Sequence, residues 1–270
     1  GPEHPNVAIF LYNLAGLYED LGDYAKAEPL YRKALAIWEK SLGPEHPNVA
    51  TSLNNLGALY AARDSFEKAY DFLNRAQETD SKLIDQVMGF TSDQQKSKFL
   101  FMKSGQLSAF LSLINQHMRQ NPFARKGALD VWLKRKGVIL EAQRRFQETL
   151  VYSDNPQAVK TFQELAKVRA RLSELAFAGP GKEGPEAYKK KIADSEAQKE
   201  KLESKLSQLS QAFALNQKIA KADCEKVARA LPRNTVLIEF ARVGMFNFKA
   251  KGKEEKWFPA HYLAFLLYAG

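Results

Sequence analysis

Gly-Pro-Glu-His-Pro-Asn-Val-Ala stands at residues 1–8 and returns unchanged at residues 43–50, so the chain opens with a repeat of 42 residues. Self-similarity at a period of roughly 20 to 50 residues is the signature of repeat architectures. Between the two copies, the turn Leu21-Gly22-Asp23-Tyr24 separates two helical segments. One period is therefore a helix–turn–helix unit, and the pattern predicts a helical solenoid that presents a surface.

Residue size agrees between the two units. Seven positions of the unit call, in order, for a large, large, small, aromatic, small, aromatic and small residue. The first unit has Leu11, Leu14, Ala15, Tyr18, Ala27, Tyr31 and Ala34 at these positions. The second unit has Leu53, Leu56, Gly57, Tyr60, Ala69, Leu73 and Ala76. Small residues let the two helices of a unit approach closely, and large ones fill the space to the next unit. This pattern resembles the tetratricopeptide repeat (TPR) in the longer variant of kinesin light chains, which implies a TPR solenoid over residues 1–84.

The TPR resemblance also implies a peptide-binding groove. Asn13 and Asn55 occupy the same position in the first helix of each unit, where related TPR proteins direct an Asn amide at the backbone of a bound peptide. An amide donates and accepts at once, so it suits an extended peptide of any sequence. We expect Tyr12 and Asn54, which precede them, to line the same face. Alternatively, Asn13 and Asn55 only hold inter-helix loops together. The Lys pair of carboxylate-clamp grooves is missing, so C-terminal carboxylates are not favoured.

Residues 85–157 are predicted to continue as long helices. Large apolar residues spaced three and four apart are typical of a packed helix face. We expect the following residues to belong to the core: Phe99, Phe101, Phe110, Leu111, Leu113, Ile114, Trp132, Leu133, Val138, Ile139 and Leu140.

Residues 158–230 are predicted to form an antiparallel, coiled-coil-like helical hairpin and a linker. The loop Gly179–Pro185 contains glycines and prolines that neither a helix nor a strand accommodates. Before it runs the stripe Phe162, Leu165, Val168, Leu172 and Leu175, and after it the heptad seam Tyr188, Ile192, Ser195, Lys199, Leu202, Leu206, Leu209 and Phe213. Because Ser195 and Lys199 weaken this seam, we expect the hairpin to protrude or to meet a partner, with self-association possible through residues 188–213.

The pattern changes from helix to strand after Leu231. Residues 235–243 and 262–268 are β-branched, aromatic and apolar, which is typical of strands, and a Lys-rich connection containing Gly252 suits a hairpin. Two strands alone are marginal in water, so we expect residues 231–270 to be the first strands of a larger domain.

A second resemblance involves the run Trp132–Gly137, the hairpin, Leu231–Phe240 and His261–Phe265. Together they look like the region that leads into and begins a CHAT domain, a caspase-like peptidase domain that commonly follows TPR arrays in bacterial proteins. The resemblance implies an α/β caspase-like domain that is truncated in this chain.

Caspase-like peptidases pair a histidine with a cysteine, but neither candidate fits that role. Cys224 lies in a helical stretch before the first strand, and His261 begins the second strand, before the expected catalytic position. Cys224 is therefore expected to be a structural thiol, and no catalytic activity is expected from residues 1–270. No phosphate-binding glycine loop, nucleophile elbow or zinc-protease helix is present, and no cofactor is predicted.

Charge is unevenly distributed. The first 80 residues hold 7 Lys and Arg against 12 Asp and Glu, and the remainder holds 33 against 19, so an acidic repeat region precedes a basic body. The basic clusters are interleaved with Glu and Gln and favour a solvated helix face over nucleic-acid binding, which remains the least favoured alternative.

Features that are absent from the sequence restrict the predictions of cellular location and of metal binding. It has no long apolar stretch and no signal-peptide pattern, so we expect a cytoplasmic protein that does not enter membranes. One cysteine precludes an internal disulfide and a multi-cysteine zinc site. His4 and His46 fall 42 residues apart in equivalent loops, so no shared metal site is predicted.

The favoured function is an interaction scaffold that binds a partner through the TPR groove and couples it to a caspase-like domain. The alternative is an inert spacer or oligomerisation region of a cysteine protease.

Overall fold

The computed structural model describes residues 4–88, 93–151, 155–210 and 223–270. Its helices are α1 (Pro5–Asp20), α2 (Tyr24–Leu42), α3 (Pro47–Ala62), α4 (Phe66–Met88), α5 (Asp93–His117), α6 (Pro122–Val151), α7 (Pro156–Ala178), α8 (Pro185–Leu209) and α9 (Cys224–Ala230). They are followed by the strands β1 (Val236–Phe246) and β2 (Trp257–Tyr268). This order confirms the prediction of helical repeats and further helices that lead to two strands.

The repeated octapeptide starts a helix in each unit. The Nδ1 atom of His4 accepts a hydrogen bond from the Asn6 amide at 3.1 Å, and His46 accepts one from the Asn48 amide at the same distance. Each histidine is an N-cap, and the proline after it lies in the first helical turn, where a missing N–H is tolerated. The repeat therefore encodes two equivalent helix starts.

Close helix approach within the second unit depends on Gly57. A Cβ atom at this position would lie 2.5 Å from Leu73 Cγ and 3.3 Å from the Ala69 carbonyl oxygen. Leu73 and Ala69 belong to α4 and are buried, so they have little room to move. The predicted role of the small residues in packing α3 against α4 is thereby explained.

Helices α7 and α8 form the predicted antiparallel hairpin. Leu165 and Leu172 of α7 pack with Leu206 of α8, and Arg169 pairs with Glu203 at 2.7 Å. The leucine positions of the seam are thus occupied within the chain. Phe213 lies outside the described residues.

The hairpin is packed on the helical body at the end that carries its loop, whereas the buried side chains of its other half form a separate cluster between α7 and α8. The expectation that it protrudes therefore stays a prediction for that other half. Helix α7 packs on α4, and α8 packs on α2. Tyr188 at the start of α8 is only 2% exposed and belongs to the main hydrophobic core. Ser195 is buried, but its hydroxyl donates to the Lys191 carbonyl at 2.7 Å, which satisfies the polar group that we expected to weaken the seam.

The two strands pair antiparallel and pack on α5. Ala241, Val243 and Met245 of β1 are buried in the main core. The Ser112 hydroxyl of α5 donates to the Gly244 carbonyl at 3.1 Å and accepts from the amide of Phe246 at 2.9 Å. These bonds fix the sheet on the helical body beside a register shift between Gly244 and Met245.

Lysines of the β1–β2 turn contact the acidic repeats. Lys249 donates to the Asp64 carboxylate at 2.6 Å and to the Ala62 carbonyl at the end of α3 at 3.0 Å. Lys256 lies 3.6 Å from Asp20 at the end of α1. Cations are favourable at helix C-termini. Part of the positive charge of the basic region is therefore paired with the acidic repeats within the molecule.

A buried ionic group joins α4, α5 and α6. Lys103 Nζ lies 2.6 Å from Asp80 Oδ1, and the Asp80 carboxylate has no solvent exposure. Arg135 Nη2 lies 3.9 Å from Asp80 Oδ2 and donates to the Gln77 amide oxygen at 3.1 Å.

Most of the predicted core residues between 98 and 136 are buried or partly buried. Phe101 is the exception, because it is 80% exposed on α5. The side chains of Val138, Ile139 and Leu140 lie outside the described part of the chain.

Candidate functional site

Four polar residues of the two repeats meet in what we name the tyrosine cluster: Tyr12, Glu19, Tyr31 and Asn55. The Asn55 amide group donates to the Tyr12 hydroxyl at 2.8 Å and to the Tyr31 hydroxyl at 3.2 Å. Tyr31 in turn donates to Glu19 Oε2 at 2.6 Å. The cluster therefore links α3 of the second unit to α1 and α2 of the first.

Aromatic contacts hold the Tyr12 ring in place. Its centroid lies 5.4 Å from that of Tyr31 and 5.5 Å from that of Trp38, both at tilted angles. Such arrangements are the favoured ones for aromatic pairs. Asn55 thus donates to two hydroxyls whose rings are packed and cannot easily move away.

The environment of the cluster disfavours ionisation. Burial raises the pKa of Tyr12, and burial together with the Glu19 carboxylate raises that of Tyr31. Burial also raises the pKa of Glu19, and its hydrogen bond from Tyr31 and the charge of Lys256 partly oppose this shift. Both tyrosines are therefore neutral hydroxyl groups at physiological pH.

Asn13, the equivalent of Asn55 in the first unit, lies in a different environment. Its side chain is exposed and makes no hydrogen bond to the described residues. No described helix covers this face of α1, on which Phe10 is 74% and Leu17 58% exposed. The equivalent of Leu17 in the second unit, Leu59, is fully buried. The shared sequence position thus gives one solvent-facing amide and one amide built into a cluster.

Asn54 does not line the surface that Tyr12, Asn13 and Asn55 share. It is only 9% exposed, and its amide group donates to the Ala50 carbonyl at 3.0 Å. The expectation for Asn54 was wrong for this reason.

The cluster keeps hydrogen-bonding capacity toward solvent. Asn55 and Tyr12 are partly exposed, and neither the Asn55 Oδ1 atom nor the Tyr12 hydroxyl proton has a partner among the described residues. A carbonyl oxygen beside a hydroxyl donor can accept one N–H and donate to one C=O.

Sequence reasoning missed Tyr31 and Glu19 as members of this site. Tyr31 was assigned only to the aromatic packing position of the repeat. A carboxylate spaced 12 residues from that tyrosine gives no local signal, because the contact depends on how α1 crosses α2.

Cys224 and His261 line one cleft between α5, α6, α9 and β2, but the thiol is not activated. Its pKa is raised to about 11 by burial and by Asp130, whose carboxylate also accepts a hydrogen bond from the Cys224 amide at 2.6 Å. Nucleophilic cysteines are thiolates near neutral pH. This thiol is protonated there, as expected for a structural residue.

Within residues 4–88, 93–151, 155–210 and 223–270, no three His, Cys, Asp or Glu side chains are grouped so that they could hold a metal ion. Over the same ranges, no helix combines the length and apolar character that crossing a membrane requires.

Comparison with known families supports the assignment of the first two units. The family model for the tetratricopeptide repeat matches residues 2–82. This range covers α1 to α4 almost entirely, so the chain carries a TPR module at its start. No curated protein matches the chain. TPR modules are protein-interaction scaffolds and are typically non-catalytic.

Proposed function

We propose that the TPR module binds an extended segment of a partner protein along the surface formed by Tyr12, Asn13 and Asn55. The observation that supports this proposal most strongly is the tyrosine cluster, where the partly exposed residues Asn55 and Tyr12 come from different repeats and keep an acceptor and a donor without partners among the described residues. An extended peptide backbone presents N–H and C=O groups that such a pair can satisfy without reading side chains. The exposed amide of Asn13 would supply the next backbone contact.

The alternative interpretation, in which both asparagines only hold the repeats together, is supported at one position. Asn55 does tie the two units through Tyr12 and Tyr31. Asn13 makes no such bond to the described residues and is solvent exposed. Because Asn13→Ala removes no bond seen within the described chain, Asn13 is the cleaner probe of ligand binding.

We further propose that partner binding is passed to a caspase-like domain that begins with β1 and β2. Glu19 of the tyrosine cluster is adjacent to Asp20, which pairs with Lys256 of the strand turn. One continuous hydrophobic core contains residues of the repeats, of α5 and of β1. Groove and sheet are thus joined by packed contacts, through which coupling between two sites can be carried.

The outer face of the sheet supports the idea of a larger domain. Its exposed large side chains are Val236, Ile238, Phe240, Tyr262, Leu266 and Tyr268. Contiguous apolar patches of this kind are rare on monomeric proteins and mark surfaces that another layer covers. Such covering layers are what the resemblance to a bacterial, cytoplasmic TPR–CHAT protein implies.

The alternative function, an inert spacer that oligomerises through residues 188–213, has less support. Leu202 and Leu206 of that seam are buried against α7 within the chain. Nucleic-acid binding by the basic middle is supported by no specific site among the residues that the structure describes.

A selection experiment tests the binding proposal. A random ten-residue peptide library displayed on phage is selected on the 270-residue chain and counter-selected on the Asn13→Ala, Asn55→Ala double variant. We expect peptides that differ in sequence yet all fail to bind the double variant, because the proposed contacts are to backbone. Enrichment of peptides that bind both proteins equally would contradict the proposal.

The coupling proposal needs a chain that continues beyond residue 270. Peptide cleavage by that chain, dependent on a cysteine beyond residue 270 and altered by Asn13→Ala, would support a TPR-gated protease. Cleavage that ignores groove ligands and groove variants would contradict it.

A further inference from the structure

A large cleft runs along β2 on the side of the sheet away from β1. Its volume is about 1320 Å³, larger than the roughly 300–1,000 Å³ of most small-molecule pockets. The wall on one side is β2 from His261 to Tyr268, and the opposite wall comes from α5 and α6, with Leu111, Ile114 and Leu129 as apolar lining residues. This shape suits a chain segment better than a compact ligand.

The strand that borders the cleft has an unpaired edge. The described sheet contains β1 and β2 alone, so β2 is paired on one side. The Ala269 amide donates to the Thr235 carbonyl, which makes this pair a hydrogen-bonded one. Hydrogen-bonded and non-hydrogen-bonded pairs alternate in an antiparallel ladder. The backbone groups of Tyr262, Ala264, Leu266 and Tyr268 therefore point to the free edge.

The first residues of β2 cannot pair with an added strand. Met245 is paired with Phe258 and Gly244 with Ala260, so Pro259 is the extra residue of a bulge. Proline has no N–H, and bulges and prolines are the usual means of blocking an exposed edge. The stretch from Ala260 to Tyr268 lacks such protection. About eight strand residues span about 27 Å, the length of a short docking peptide.

The charge of the side chains that line the cleft indicates the kind of partner that it binds. Its lining contains the cationic side chains of Arg119, Arg125 and Lys126. Lys126 pairs with Asp130 at 3.1 Å and Glu225 at 3.5 Å. Arg119 and Arg125 are exposed and form no ion pair with the described residues. Two arginines thus remain available to carboxylates of a bound segment.

We propose that this cleft binds an acidic peptide segment of a partner protein as an added strand on the free edge of β2. Main-chain hydrogen bonds to Ala264 and its alternate neighbours hold the backbone, which is the known mode of strand addition. Apolar side chains of the peptide lie against the wall formed by α5 and α6, and its carboxylates pair with Arg119 and Arg125. This second binding surface is distinct from the TPR groove.

A second copy of the chain fits this edge less well. Two copies paired through β2 would bring two sets of Arg119, Arg125 and Lys126 together, and β2 itself carries no acidic residue. Like charges at such an interface are unfavourable.

The test is a fluorescence anisotropy titration of the 270-residue chain with fluorescein-labelled Glu-Val-Glu-Val-Glu-Val-Glu-Val. We expect saturable binding, and at least tenfold weaker binding of the Lys-Val counterpart. Ala264→Pro removes an edge N–H without touching the β1 ladder and is expected to weaken binding at least tenfold. The matched variant Ala264→Ser keeps the N–H and should bind within twofold of the wild type.

A second pair of variants tests the charge argument. The Arg119→Gln, Arg125→Gln double variant should bind at least fivefold more weakly and lose part of the salt dependence. Arg171→Gln, which removes an exposed arginine from α7, should have no effect. Alternate N-methylation of the peptide should abolish binding to the unaltered protein, so the result does not depend on the folding of Ala264→Pro.

Four results would overturn the proposal. The first is the absence of binding at millimolar peptide, and the second is equal binding by Ala264→Pro and Ala264→Ser. The third is displacement of the peptide by an oligothymidylate of 12 nucleotides, which would make the cleft a nucleic-acid site. The fourth is a wild-type dimer that Ala264→Pro converts to a monomer, which would make the occupant a second copy. None of these outcomes involves Asn13 or Asn55, so the TPR groove stands or fails separately.

Discussion

The two N-cap histidines are expected to respond differently to acid. His4 and His46 have the same neighbours in sequence and make the same cap, but His4 is exposed whereas His46 is only 7% exposed. Burial lowers the pKa of His46 to about 4. Replacing either histidine by Asn, a strong N-cap, keeps the cap and removes the titrating group.

The sign and size of the effect follow from linkage. The folded-state pKa of His46 is lower than the roughly 6.5 of an unfolded chain, so the unfolded state binds the proton more readily. Stability from neutral His46 is complete above about pH 6.5 and is lost as the pH falls toward 4. The loss is about 2 kcal/mol at pH 5 and about 3 kcal/mol near pH 4.

Urea unfolding at pH 7.5 and at pH 5.0 measures this loss. We expect His46→Asn to reduce the difference in unfolding free energy between the two pH values by about 2 kcal/mol relative to the wild type. The control His4→Asn should leave that difference unchanged, and any general cost of the smaller side chain cancels between the two pH values. An unchanged pH dependence in His46→Asn would refute the reasoning.

Three further predictions concern packing and the buried groups. Gly57→Ala should lower the unfolding free energy by about 1–3 kcal/mol in urea titrations, whereas Gly16→Ala, which meets only ordinary contacts, should be neutral or stabilising by up to about 1 kcal/mol. Asp80→Asn leaves buried Lys103 without its carboxylate and should destabilise by about 3–5 kcal/mol in the same assay, and Lys103→Met in that background should restore part of the loss. Native Cys224 should react with iodoacetamide far more slowly than the urea-unfolded chain at pH 8, with a native rate that rises toward pH 11; equal rates would contradict its burial.

Local signals predicted the helices and strands well. The octapeptide predicted two helix starts, and the turn at Gly22 and the loop Gly179–Pro185 predicted where helices end. Caps, glycines and prolines act within a few residues, so the sequence displays them directly. The alternating apolar residues of 235–243 and 262–268 indicated the strands for the same reason.

Tertiary contacts were harder to predict. Nothing near Tyr188 in sequence indicates that it joins the main core, so a seam with polar positions was interpreted as a hairpin that protrudes or meets a partner. Asn54 was placed with Asn55 by adjacency, but it is buried and its amide is bonded within α3. The Glu19–Tyr31 bond and the cleft along β2 depend on how helices cross, which a single sequence does not encode locally.

The most direct measurement of the central claim is isothermal titration of a library-selected peptide into the wild type, Asn13→Ala and the control Asn74→Ala, which alters a partly exposed asparagine of α4. Loss of one backbone hydrogen bond should weaken binding to Asn13→Ala by roughly three- to tenfold, about 0.5–1.5 kcal/mol, and leave Asn74→Ala unchanged. The Asn13→Ala, Asn55→Ala double variant should lose more than tenfold. Equal affinity of all four proteins would contradict the account that the first two repeats recognise a partner backbone through their asparagines.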